Sequence, residues 1–309
     1  MAPSPIILVD NQAQTHIPAT NRGLAYGDGL FETMLYCSGD IALWSYHFDR
    51  LLLGLKRLKM SLDPARVQQH MQTTLQLIQQ NTQGQSASTS STSRGVCKLI
   101  VTRGDGITRG YMPDDQAMPQ LISIYTPLSS EAAEKNQSFC QHGVNVHYCH
   151  ERIVASPTLA GIKSLNQLSY VLASEERQTL DVQEGLMLDS CDNVIEATAR
   201  NVFIVNNGIL MTPLLNTSGV AGVMRRWVLE TAKANHVVVE EAHLSASDIS
   251  NADEVFLTNS ISGIWPVISC GQQRWVVGSV TQRLQECLRS FYDDGSPITS
   301  FNASMSQCA

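Results

Sequence analysis

The stretch VFIVNNGILMT obliges the chain to double back on itself. Two apolar, largely β-branched runs, 202–205 and 209–212, are joined through Asn206, Asn207 and Gly208. Asn and Gly tolerate the left-handed backbone that a tight hairpin turn requires, so the two runs are expected to pair antiparallel. The same pattern recurs along the chain. PIILVD, FETMLYC, DIALW, VCKLIVTRG, PQLISIYTPL, VNVHYCH, GLMLDS, VIEATARNVFIV and EVFLTN read as strands bounded by Gly, Asn or Asp, with a turn at 191–193. Strands outnumber helices and several hairpins are antiparallel, which predicts an α+β fold with mixed, largely antiparallel sheets. A doubly wound parallel sheet is not expected, and no G-x-G-x-x-G follows a strand.

Helices punctuate this strand-rich pattern. From about Ser45 to Met60, Phe48, Leu51, Leu52, Leu55 and Leu58 share one helical face, which predicts core packing. Asp63 and Pro64 have the character of an N-cap and first helical residue for a second helix running to about Gln80. Further helices are expected over 165–179, 222–235 and 279–291. A chain of 309 residues exceeds one common core, and two domains are the natural division. The boundaries expected are a small α/β domain at 1–126, a linker at 127–137 where SSEAAEKNQ loses its apolar pattern, a large domain at 138–292 and a loose tail at 293–309. The run TQGQSASTSSTS at 82–93 has nothing apolar larger than alanine to bury and reads as a flexible surface insertion.

With a net charge of −7, the chain offers no general positive field for nucleic acid or an anionic membrane. An anionic ligand must be held by a few placed cations and backbone amides. No apolar run approaches the roughly 20 residues that span a bilayer, and the opening MAPSPIILVD lacks the basic-then-apolar pattern of a signal peptide. Eight scattered cysteines form no C-x-x-C pair, as expected of reduced thiols in a cytoplasmic protein. His147 and His150 fall on opposite faces of a strand and no second ligand cluster accompanies them, so no metal is expected.

Four separated motifs carry the chemistry. In LAGIKSLNQLSYVLASEE, Lys163 stands among Leu159, Ile162, Leu165 and Leu168, and apolar surroundings favour the neutral amine that imine formation needs. An isolated lysine at such a position is far more often a solvated surface residue. In LMLDSCDNVIEATARNVFIV, Glu196 follows a hairpin 33 residues later; alone it reads as a strand-end carboxylate. In NTSGVAGVMRRWVLE, Gly219 and Gly222 free the backbone before a helix, so amides near Val223 can meet a phosphate at the helix N-terminus. In EVFLTNSISGIWPV, Thr258, Asn259 and Ser260 end a strand and are candidate phosphate donors.

A lysine, an acid on a later strand, a Gly-opened helix and a Thr/Asn turn, in that order, resemble the fold-type IV pyridoxal-phosphate enzymes. That family includes branched-chain aminotransferases, D-amino-acid aminotransferases and aminodeoxychorismate lyases. The resemblance runs from about Leu24 to Val267 and takes in AYGDGLFETM and HFDRL, whose Arg50 matches the family's phosphate-binding arginine. It implies a two-domain fold, a small-molecule substrate, a homodimer and pyridoxal 5'-phosphate held as a Schiff base on Lys163. Glu196 would then face the ring nitrogen, with Arg50, Gly222, Val223, Thr258 and Asn259 around the phosphate.

Within the family, TRGDGITRGYMPDD resembles the doubled Arg-Gly pattern of the lyases, and LAGIKSLNQL is similar to theirs as well. This makes Arg103, Arg109 and Tyr111 candidates for substrate binding, with loop solvation an equal reading for each arginine. The implied reaction is conversion of 4-amino-4-deoxychorismate to 4-aminobenzoate and pyruvate. Transamination of a D- or branched-chain amino acid is the alternative, and Glu32 in FETM is the residue widespread among aminotransferases where some lyases carry Thr.

Overall fold

The computed structural model describes residues 4–83, 94–106, 110–114 and 117–293. The expected insertion at 82–93, beyond Gln83, and the expected tail, beyond Asp293, lie outside these described residues, as does Arg109. The described chain divides into two compact units. One gathers residues 4–129 with Ile162–Asn166, and the other gathers Ser130–Gly161 with 167–293.

The first unit contains β1 (Ile6–Val9), β2 (Gln12–Ala13), α1 (Arg22–Tyr26), β3 (Gly29–Cys37), β4 (Asp40–Ile41), α2 (Trp44–Arg57), α3 (Pro64–Gln83), β5 (Gly95–Thr102) and β6 (Gln120–Pro127). Its six strands form one sheet in the order β2-β1-β6-β5-β3-β4, with every pairing antiparallel. The alternation of strand side chains sends Leu30, Met34 and Tyr36 of β3 and Cys97, Leu99 and Val101 of β5 into the core. α3 opens at Pro64, with the Asp63 carboxylate accepting from the Ala65 N–H at 2.9 Å, as the Asp-Pro pair predicts.

On α2 the buried stripe is Trp44, His47, Leu51, Gly54 and Leu55. It is turned by one residue from the face the leucine pattern suggests, so His47 replaces Phe48 in the interior. Gly54 makes that seating possible, because a Cβ there would come within 2.7 Å of the Leu30 side chain.

The second unit contains α4 (Ser130–His142), β7 (Val144–Arg152), α5 (Leu168–Glu175), a single 3₁₀ turn (Glu176–Thr179), β8 (Glu184–Leu188), β9 (Asn193–Ala197), β10 (Asn201–Asn206) and β11 (Ile209–Pro213). It continues through α6 (Val223–Ala234), β12 (Val239–Ala242), β13 (Leu244–Ser245), α7 (Ala246–Ser250), β14 (Glu254–Asn259), β15 (Gly263–Cys270), β16 (Gln273–Arg274) and α8 (Ser279–Asp293). The sheet order is β12-β11-β10-β14-β15-β7-β8-β9-β13, with β16 beside β15. Parallel pairs (β11–β12, β7–β15, β7–β8) stand among antiparallel ones, so this sheet is mixed. The β10–β11 hairpin turns at Asn207 and Gly208, which have φ of 50° and 78°, as the Asn-Gly signal requires.

Two expectations need correcting. Most of 127–137 is helix rather than linker: α4 begins at Ser130, and its Phe139 packs edge-on to Trp265 at 4.9 Å while Asn136 accepts from the Trp265 indole N–H. Side-chain hydrogen bonds from Asn136 and Cys140 and the Phe139–Trp265 contact anchor a helix with no fully buried residue, which hydrophobic periodicity cannot register. The helix expected from about residue 165 starts at Leu168. Residues 163–165 are not helical, because that segment pairs with β3 instead.

Candidate active site

In the first unit, the Lys163 segment is laid along the start of β3. The Phe31 N–H donates to the Lys163 carbonyl at 2.9 Å, the Leu165 N–H donates to the Gly29 carbonyl at 3.0 Å, and Ser164 bridges Leu30. This antiparallel clip fixes the lysine backbone with no helix of its own. The half-buried side chain carries its Nζ to 4.4 Å from the centre of the Phe31 ring. Lys98 Nζ lies 4.9 Å from the same ring.

Nearby charge is set by Glu32, which is fully buried. Its carboxylate accepts from Arg50 Nε at 2.8 Å, from Arg50 Nη2, and from His47 Nδ1 at 2.6 Å. Burial alone would raise the Glu32 carboxyl, but the Arg50 charge and the hydrogen bonds from His47 and Arg50 outweigh it and hold it at about 2. Burial lowers the His47 imidazole against the pull of Glu32, so His47 is neutral and donates through Nδ1; the Arg50 and Lys163 charges lower it further. Arg50, matched to the family's phosphate arginine, is thereby fixed in orientation by an acid, with His47 as an unanticipated third member. The sequence signal for His47 was its place at helical spacing from Trp44 and Leu51.

A carboxyl held below its ordinary value of 4.5 contributes stability that is complete above pH 4.5 and is lost as pH falls through about 2. The wild type is expected to lose about 3 kcal/mol across that interval that Glu32→Gln does not lose. The variant is weaker at neutral pH because it removes the buried anion on which the Arg50 and His47 donors converge. Urea unfolding at pH 6, 4.5, 3 and 2 checks this, and parallel losses in both proteins would assign the acid sensitivity elsewhere.

Arg103, a candidate for a substrate carboxylate with loop solvation the equal reading, is tied to the protein in this structure. Nε donates to Asp28 at 2.7 Å, Nη2 to the Leu58 carbonyl at 2.7 Å, and Nη1 to the Lys59 carbonyl at 3.3 Å, closing the end of α2. Arg22 donates to the same Asp28 oxygen at 2.9 Å. Burial opposes ionisation of Asp28, yet the two arginines prevail and its carboxyl is lowered. Tyr111 is exposed, with its carbonyl accepting from Arg22 and its ring edge-on to Tyr26 at 5.5 Å.

The second unit assembles the other candidates around Asn201, a residue the motif reading passed over. Glu196 is buried on β9, where its Oε1 accepts from the Tyr170 hydroxyl at 2.5 Å and the Val220 N–H at 3.0 Å. Its Oε2 accepts from Asn201 Nδ2 at 3.1 Å, and the same amide donates to the Val220 carbonyl at 2.8 Å. Burial, then the Glu196 charge, raise the Tyr170 hydroxyl, so it remains a donor. Three donors of fixed direction thus hold the Glu196 carboxylate.

Asn201 also pairs with Thr258 across β10–β14, and its Oδ1 would be 1.9 Å from a Cβ at Gly222. Gly222 has φ −59°, so glycine answers there to space rather than to backbone conformation. Directly after it, α6 starts at Val223 with first-turn N–H groups that have no partner within the helix. The Thr258 and Ser218 hydroxyls are buried without a hydrogen-bond partner, a costly arrangement unless an acceptor is bound there. Bare glycine, a helix N-terminus and the orphaned Thr258 hydroxyl, paired across β10–β14 with the Asn201 that abuts Gly222, fit a phosphate group. Asn259 differs: its side chain accepts from the Ile261 and Ser262 N–H groups and donates to the Ala199 carbonyl, so it builds the turn.

Comparison with known proteins gives consistent findings. The family model for amino-transferase class IV matches residues 29–270. An aminodeoxychorismate lyase from Vibrio harveyi is 32% identical over 281 residues, spanning 90% of this chain and 97% of that protein. The crystal structure of 4-amino-4-deoxychorismate lyase from Pseudomonas aeruginosa superposes with a TM-score of 0.83 at 38% identity, covering 92% of this chain and 98% of that one. A putative branched-chain-amino-acid aminotransferase from Methanocaldococcus jannaschii is 28% identical over 279 residues, or 89% of this chain and 91% of that protein.

Proposed function

The chain belongs to the amino-transferase class IV family, and on that premise we propose that it is the lyase that converts 4-amino-4-deoxychorismate to 4-aminobenzoate and pyruvate. The observation that carries this reading is the 38% identity, spread over nearly the whole of both chains, to the Pseudomonas aeruginosa lyase. Pyridoxal phosphate, when bound, supplies an electron-withdrawing ring that acidifies the C–H bond at the amine-bearing carbon of the substrate.

The rest is work for side chains. Lys163 would hold the cofactor covalently, and its Nζ, released when the substrate is bound, would be the base that accepts that proton. The C–O bond to the enolpyruvyl group breaks, the carbocycle becomes aromatic, and Lys163 delivers a proton to the departing enol to give pyruvate. Glu196, braced by Tyr170, Asn201 and Val220, is assigned to the ring nitrogen, where a carboxylate favours the protonated form. Gly222, Val223 and Thr258 are assigned to the phosphate, and Arg50 would supply a cation. A cytoplasmic homodimer is part of the same proposal. It is supported by seven cysteines free among the described residues and by the exposed Leu168, Val171 and Leu172 at helical spacing on α5. No described helix is long and apolar enough to cross a membrane.

Product analysis tests the reading. With aminodeoxychorismate and no keto acid, the holoenzyme is expected to form pyruvate and 4-aminobenzoate in equal amounts over many turnovers, because elimination leaves no nitrogen on the cofactor. D-alanine or L-leucine should bleach the cofactor absorption only slowly. Fast bleaching by an amino acid, without 4-aminobenzoate from aminodeoxychorismate, would replace the lyase with an aminotransferase.

A further inference from the structure

In the second unit, one strand and one turn bring together three metal-ligating atoms of different chemistry. His147 and Cys149 are two residues apart on β7 and share a face, a pairing that reading His147 with His150 does not offer. Glu176 opens the 3₁₀ turn after α5 and meets them. His147 Nε2, Cys149 Sγ and a Glu176 carboxylate oxygen lie within 4.8 Å of one another, with Nε2 3.9 Å from Sγ. Ligand atoms around tetrahedral zinc stand roughly 3.5 Å apart at ordinary bond lengths. The nitrogen and sulfur are already near that spacing, and the carboxylate has about 1 Å to travel.

The surroundings favour ligation at these atoms. The His147 Nδ1–H donates to the Tyr148 carbonyl at 3.1 Å, which leaves the lone pair on Nε2. The Glu176 oxygens accept from the His150 and Glu151 N–H groups at 2.8 and 2.9 Å, holding the carboxylate against β7. On neighbouring β8, Gly185 is in register with His147, and a Cβ there would come 2.4 Å from Sγ and 2.9 Å from Nε2. Its backbone has no positive φ, so glycine at 185 serves the space in which the two ligand atoms converge. The adjacent Arg177 cation donates to the Gln183 carbonyl and pairs with Glu184.

We propose that His147, Cys149 and Glu176 form a zinc site, with solvent as the fourth ligand. One thiolate, one imidazole and one carboxylate suit zinc and not the all-oxygen preference of magnesium or calcium. As the Zn–S bond forms, the Cys149 proton leaves to solvent. The ion fastens the end of α5 to β7, and α5 is the helix whose Tyr170 donates to Glu196. It is a structural clamp that positions Tyr170.

Untagged holoenzyme, stripped with a chelator and titrated with Zn²⁺ against a chromophoric competitor, is expected to bind one ion per chain. Cys149→Ser and His147→Ala should each weaken binding beyond the roughly 10–100-fold that losing an outer-shell partner costs, with Glu176→Gln in the same direction. Cys191→Ser, which removes an exposed thiol, should change nothing. Cobalt(II) in the wild type should give tetrahedral ligand-field bands in the red, a readout that needs no variant to fold. Zinc binding that survives Cys149→Ser or disappears in Cys191→Ser overturns the proposal, as does wild-type protein that shows neither one bound zinc nor the cobalt bands.

Discussion

Lys163→Ala is expected to lower turnover by at least roughly 10³-fold, because one side chain provides both the covalent hold on the cofactor and the proton carrier. Positioned proton transfer alone contributes about 10²–10⁴-fold. The fold should persist: the segment is clipped to β3 through the backbone of residues 163 and 165, and those hydrogen bonds need no lysine side chain. Borohydride reduction followed by peptide mass mapping should place the phosphopyridoxyl group on Lys163. Lys98 is the serious rival, since its Nζ lies 4.9 Å from the same Phe31 ring that Lys163 approaches. An adduct on Lys98, or near-normal turnover in Lys163→Ala, would transfer the assignment.

Glu196→Gln should retain cofactor binding while kcat falls on the order of 10²–10³-fold, the scale of losing one preorganised electrostatic contact to developing charge. Glutamine preserves an oxygen for Tyr170 and Val220 but presents an amide where Asn201 donates, so it also costs about 1–3 kcal/mol of stability. Kinetics separate the two effects. Loss in kcat with KM little changed marks an interaction made in the transition state, whereas a variant that melts earlier but turns over normally would make Glu196 a structural carboxylate.

The strand grammar was legible because period-two burial and Asn-Gly turns are local: β3, β5, β6, β10 and β11 all appear where the sequence puts them. The α5 start was less so, because the pull on 163–165 comes from β3, more than 130 residues earlier in the chain, and no window around Lys163 contains it. The site divides in the same way. Lys163, Glu196 and Gly222 stand in short motifs with distinctive glycines or spacing. Asn201, Tyr170 and His47 were passed over because each is ordinary in its own neighbourhood and acquires meaning only from the carboxylate it meets. Arg103 differs in the opposite sense: the Arg-Gly pair gives no local sign that its side chain donates to Asp28 and to the end of α2.

The five residues Ile162–Asn166 belong to the first unit although the chain on both sides belongs to the second, and this has a consequence for how the polypeptide is made. A ribosome that has released the first 129 residues has not released everything that unit contains. Until Asn166 emerges, the first residues of β3, Gly29–Phe31, face outward without the partner that will accept from Phe31 and donate to Gly29, and an unpaired edge is a template for the wrong strand. Domains made early ordinarily fold early, but here the earlier one must wait for a piece delivered partway through the later. A fragment ending at Ser129 would not be a miniature of the first unit. It would lack Lys163 and the segment that pairs with the start of β3, and such a fragment is expected to self-associate through that edge rather than remain monomeric.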